Sequence, residues 1–173
     1  MKLMEIKNGY NLFLDMDGVF ADFGKGIEKL MLNVPYSEYR YDTDPEYKKR
    51  MWELVGEYQK DGDEFWYDLD LLPDAMTLWN YVKKYNPTFL SATGRTNHEH
   101  TKDQKRRWID EKFGDIPGIF VHSAEDKKKE ADENHILIDD KMKAIEPWVN
   151  AGGIGILHTS AQETIARLKD LGL

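Results

Sequence analysis

Asp15 and Asp17 stand two residues apart at the end of the apolar run Asn11-Leu12-Phe13-Leu14, and Gly18 follows them. The run reads as a buried strand. A strand ending in acids and a glycine puts charge at the carboxyl edge of a sheet, where open α/β folds bind ligands. Two carboxylates this close are costly unless a cation joins them. A second acidic pair, Asp139-Asp140, follows another apolar run, His135-Ile136-Leu137-Ile138. Two acids capping a turn would account for Asp15 and Asp17 alone. Four acids converging on one edge call for a cation.

The chemistry these residues suit is phosphoryl transfer. A carboxylate can attack phosphorus to give an aspartyl-phosphate. Its charge repels the phosphate, so Mg²⁺ is expected, a hard cation held by one or two carboxylates, water and substrate. A lysine neutralises the transferring group, and a hydroxyl with backbone N–H groups holds its oxygens. A second acid protonates the leaving oxygen and then activates water. Asp15, Asp17, Ser91, Lys105 and Asp139 supply one residue for each task. Lys105 lies in a basic stretch, and Lys128 competes with it from the run Glu125-Asp126-Lys127-Lys128-Lys129-Glu130, which reads as a solvated loop or helix start.

These residues need a scaffold that brings strand ends together. Short apolar runs predict strands at 10–14, 87–92, 118–122, 135–138 and 153–157. Helical patterns fall between them at 73–85, 98–113, 142–150 and 160–171, the first opening with Pro73-Asp74 and the second stopping at Gly114. This alternation predicts an α/β fold with a parallel sheet covered on both faces. Residues 20–72 break the pattern: they carry helical stretches at 22–32 and 45–58, many Tyr and Trp, and no strand pattern. They are expected to form a small helical cap inserted after the first strand, with 1–19 and 73–173 as the core and Asp61-Gly62-Asp63 as a turn on the way back.

The 173 residues suit one domain with a small insertion, and 40% hydrophobic content supports a sizeable core. The net charge of −8 disfavours binding to duplex nucleic acid. With no cysteine, disulfides, thiolate catalysis and Cys-type zinc sites are excluded. The first residues show no apolar leader, and no window has the ~18 uninterrupted apolar residues of a membrane span. A cytoplasmic protein acting away from membranes is the expectation, and a homodimer is compatible with it.

With the motifs in view, the run Asp15-Met16-Asp17-Gly18-Val19 resembles the first motif of the haloacid dehalogenase (HAD) superfamily of phosphatases. Ser91 matches the second motif, Lys105 the third and Asp139-Asp140 the fourth, over residues 12–157. Within that superfamily the chain is similar to the 5'(3')-deoxyribonucleotidases, through Asp15 to Phe23, Phe65-Trp66-Tyr67-Asp68-Leu69, Leu72-Pro73, Gln104-Lys105-Arg106-Arg107-Trp108 and Leu137-Ile138-Asp139-Asp140. The resemblance implies a Rossmann-like core, Asp15 as nucleophile and Asp17 as general acid/base. It implies Mg²⁺ held by Asp15, the backbone carbonyl of Asp17 and Asp139, with Asp140 acting through water. Gly18, Ser91, Ala92 and Arg95 become candidate phosphate contacts, and Phe23 a candidate contact to a nucleobase. The implied substrate is a nucleoside monophosphate, deoxyribonucleotides foremost; a sugar phosphate, or a binding module without turnover, are the alternatives. Two departures bear on substrate choice. The second motif reads Ser91-Ala92-Thr93 where Thr-Ser-Pro is usual, and the loop His122 to Lys127 lacks an Arg.

Overall fold

The computed structural model describes residues 9–32, 34–60 and 62–173. The leaderless reading of the first residues and Asp61 of the expected turn fall outside them. Five strands form one parallel sheet: β1 (Asn11–Leu14), β2 (Thr88–Ala92), β3 (Gly118–Val121), β4 (His135–Asp139) and β5 (Ile154–Leu157), in the order β3-β2-β1-β4-β5. The chain runs outward from β1 to β3, then crosses to the other side of β1 for β4 and β5. The order therefore reverses at β1, and the crevice at the carboxyl ends of its neighbours is where such sheets place ligands.

Alternation along the central strands sorts their side chains to two faces. Leu12 and Leu14 join Phe89, Ile136 and Ile138 in one buried cluster, whereas Phe13, Leu90 and Leu137 join Ala144, Ile145 and Trp148 in the other. The first cluster is roofed by α4 (Ala75–Val82), α5 (His98–Phe113) and α7 (Ala161–Asp170), the second by α6 (Met142–Asn150). The α/β architecture read from the sequence is thus the one the chain adopts.

Between β1 and α4 the described residues form α1 (Phe23–Leu30), α2 (Glu38–Thr43) and α3 (Pro45–Lys60) and no strand of the sheet. Their ends follow from local chemistry. Asp22 caps α1 by accepting from Lys25 N at 2.9 Å, and Ser37 caps α2 by accepting from Arg40 N at 3.2 Å. The segment leaves and rejoins the core at one place: Asp22 N donates to Asp70 O, and Leu72 N to Phe20 O, both at 2.8 Å. Helix α5 holds the returning chain. Trp108, fully buried, donates through Nε1 to Leu69 O at 2.7 Å, and Arg107 grips Glu64 through two nitrogens. Among the described residues, no helix is long and apolar enough to cross a membrane.

Candidate active site

Chain direction at the end of β1 is set by a tight turn. Phe20 N and Ala21 N both donate to Met16 O at 2.9 Å, and Gly18 takes a φ of +79°. Only glycine fits there comfortably, and a Cβ would also overlap the Asp140 carboxylate. The close approach of Gly18 to Asp140 brings the ends of β1 and β4 together.

Asp15, Asp139 and Asp140 offer carboxylate oxygens that all lie within 4.8 Å of one another. Asp15 and Asp139 are buried. Burial, then repulsion from Asp15, pushes Asp139 up to about 6 and Asp140 up to about 7. Burial also raises Asp17, against the pull of Lys105 and with the push of Asp15. One oxygen of Asp17 and one of Asp140 are buried without a hydrogen-bond partner. Carboxylates crowded, desolvated and left with open oxygens are a donor set suited to a hard divalent cation such as Mg²⁺.

Two lysines serve the cluster, and they do different things. Lys127, 2% exposed, places Nζ 2.8 Å from Asp15 Oδ1 and 2.5 Å from Asp139 Oδ2. Burial opposes its charge, but the two carboxylates outweigh that and hold its ammonium well above the usual lysine range. Lys105, fully buried, sits behind Asp17. Its Nζ lies 2.5 Å from Asp17 Oδ2, 3.0 Å from Ser91 Oγ and 2.7 Å from the Ala92 carbonyl, under the Trp66 ring. Among the described residues no ion pair joins Lys105 to Asp15. The charge run read as solvated is a 3₁₀ helix, Glu125–Glu130, in which Lys128 and Lys129 reach solvent while Lys127 turns inward. Nothing in three consecutive lysines marks the middle of the site; their register against β4 does.

Above the cluster opens a cavity of about 930 Å³. Asp15, Asp17, Lys127, Asp139 and Asp140 line its floor. One wall is aromatic. Phe23 and Trp66 lie nearly parallel, 17° apart with centroids at 5.8 Å, and Trp52 stands 6.1 Å from Phe23 and 6.3 Å from Trp66. Ala92, Thr93 and Arg95 also line the cavity, and Arg95 is exposed and makes no hydrogen bond or ion pair among the described residues. Ser91 and Lys105 do not reach the cavity surface: Ser91 is fully buried and its hydroxyl accepts from Lys105. His98 and His122 lie with ring centroids 4.1 Å apart, tilted by 43°, beside Thr93. Two core lysines reach the helical segment across the mouth, Lys141 to Glu38 and Lys143 to the Tyr41 ring.

No family model matches the sequence, and no curated protein matches it. Solved structures do match along nearly the whole chain. A haloacid dehalogenase-like family hydrolase from Streptococcus pneumoniae is 15% identical over 92% of this chain and 91% of that one, with a TM-score of 0.55. A HAD family hydrolase from Deinococcus radiodurans, determined with bound phosphate and sodium, is 12% identical over 96% and 98%, with a TM-score of 0.58. A protein of Thermotoga maritima described as a candidate β-phosphoglucomutase is 16% identical over 93% and 99%, with a TM-score of 0.52. The chain therefore has the fold of the HAD hydrolases.

Proposed function

We propose that this protein is a Mg²⁺-dependent phosphomonoesterase that works through an aspartyl-phosphate and acts on nucleoside monophosphates, deoxyribonucleotides foremost. The observation that carries this reading is the Asp15–Asp139–Asp140 cluster, two of its acids buried, with Lys127, set at the floor of a cavity walled by Phe23, Trp52 and Trp66. Asp15 attacks phosphorus, forming the acyl phosphate as the bond to the ester oxygen breaks. Asp17 gives its proton to that oxygen; burial, by raising its carboxyl, helps it hold a proton to give. It then takes a proton from the water that attacks phosphorus, which frees phosphate and restores Asp15. Lys127 stays beside Asp15 and neutralises charge on the transferring group. Lys105 holds Asp17 in place from behind. Asp15, Asp139 and the Asp17 backbone carbonyl would hold Mg²⁺, with Asp140 through water, and the ion would offset the charge that keeps a carboxylate from a phosphate. Gly18, Ala92 and Arg95 would contact the phosphate, and the aromatic wall would take the base. Residues 20–72 would act as the cap that keeps water out during the first transfer.

A sugar phosphate is the second reading. The similarity to the candidate β-phosphoglucomutase favours it, as do Thr93, Asn97 and Ser123 on the polar side of the cavity. Phosphate release from deoxyribo- and ribonucleoside monophosphates and sugar phosphates, with Mg²⁺ and with EDTA, separates the two. Mg²⁺-dependent release favouring deoxyribonucleotides is expected. Release from sugar phosphates alone would overturn the nucleotide reading, and release unaffected by EDTA would overturn the role of the ion.

A further inference from the structure

A chain of side-chain amides fixes which way Gln59 faces. It begins at the backbone N–H of Trp66, which can only donate. Its partner, 2.9 Å away, must therefore be the carbonyl oxygen of the Gln104 side chain. Gln104 is fully buried, so its amide has no freedom to turn without stranding that N–H. Its nitrogen is left facing the other way, 3.0 Å from Gln59 and 2.9 Å from His100 Nε2. Both of those atoms must accept. For His100 this puts the ring proton on Nδ1. For Gln59 it means that the oxygen of the side chain is spent on Gln104.

What remains of Gln59 is its amide nitrogen, a donor of two N–H bonds with no acceptor among the described residues. Gln59 lies in the last turn of α3 and lines the cavity together with Phe23, Trp52 and Trp66. The Trp66 that starts the chain of amides also forms part of the aromatic wall.

We propose that Gln59 is a specificity-determining residue: it offers an N–H to a carbonyl oxygen on the flat ring that occupies the aromatic wall. The inference rests on the nucleotide reading above. It selects bases with a carbonyl at pyrimidine C4 or purine C6, such as uracil, thymine and hypoxanthine, over cytosine and adenine. Those present an amino group at the corresponding edge, which would set donor against donor. A carboxamide free at both ends would turn to suit either partner. Gln59 is held from behind by a buried neighbour and does not.

The test compares kcat/KM for pairs that differ at one exocyclic group: deoxyuridine against deoxycytidine monophosphate, and deoxyinosine against deoxyadenosine monophosphate. The expected preference for the oxo member is about tenfold, the scale of one hydrogen bond in a partly wet cavity. Gln59→Leu brings the ratio close to one. Gln59→Glu keeps an acceptor toward Gln104, turns an acceptor toward the cavity, and reverses the preference. Equal wild-type values within each pair, or a preference that survives in Gln59→Leu, would overturn the inference and leave the nucleotide reading standing. Hydrolysis of an aryl phosphate and of sugar phosphates but of no nucleotide would overturn both. No hydrolysis of any ester would overturn the phosphatase reading itself.

Discussion

Replacing Lys127 with methionine removes one ammonium and keeps most of the volume. Lys127 meets Asp15 at 2.8 Å and Asp139 at 2.5 Å, with 2% of its surface exposed. At an effective dielectric near 20, each contact attracts by roughly 6 kcal/mol. Dehydrating three charged groups cancels most of that, and breaking such a buried arrangement from one side costs about 3–5 kcal/mol. Urea unfolding of the wild type and the variant in EDTA, at a mildly alkaline pH that keeps the acids ionised, reads this loss. Mg²⁺ should restore more stability to Lys127→Met than it adds to the wild type, because it finds two carboxylates with no other cation. Turnover should fall about a hundred- to a thousandfold even with Mg²⁺ present, the scale of losing one charge-stabilising group in a closed site. A loss below about 1 kcal/mol in EDTA would mean that Lys127 does not hold the two acids apart in charge, and the reasoning would fail.

Asp15→Asn should abolish turnover while leaving the far-UV spectrum and unfolding midpoint close to wild type, as measured by phosphate release and circular dichroism. Gly18→Ala should cost about 2 kcal/mol in urea unfolding, because a φ of +79° strains any side chain and the added methyl meets Asp140. In the metal-free protein Asp139 and Asp140 are raised to about 6 and about 7, so the folded state holds more protons than the unfolded chain between about pH 4 and 7. The stability these two groups contribute is complete below that window and is lost as pH rises through it. Mg²⁺ needs the deprotonated acids, so its stabilising shift in thermal melts should be larger at about pH 8 than at about pH 5. Glu38→Gln removes the ion pair from Lys141 across the cavity mouth and should speed amide hydrogen exchange in α2 and α3 while leaving β1 and β4 unchanged.

The sheet was legible because each strand is a short apolar run, and in two of them the run gives way to an acid of the site, Leu14 to Asp15 and Ile138 to Asp139. Asp15 and Asp139 converge because β1 and β4 are hydrogen-bonded neighbours, which the strand pattern implies without stating. Lys127 was not legible. One lysine in Lys127-Lys128-Lys129 points inward and two point out, and only the pitch of the 3₁₀ helix decides which. The inward face of α5 was half legible. Trp108 and Ile109 mark it by their apolar character, whereas Thr101, Gln104 and Lys105 are buried polar groups on the same side, one and two turns back. Lys105 was named from its motif; spacing from Trp108 would have added Thr101 and Gln104 to the buried side, which the basic stretch hid. The orientation of Gln59 depends on the Gln104 side chain, 45 residues away in sequence, and has no local signal at all.

The claim that Asp15 carries the phosphoryl group can be tested by quenching the protein with acid during turnover of a deoxyribonucleoside monophosphate. Borohydride reduction of the acyl phosphate and peptide mass spectrometry then locate the modified residue. Modification at Asp15, absent in Asp15→Asn and absent when EDTA is added, is the expected result. Modification at another residue, or full turnover in Asp15→Asn, would contradict the account.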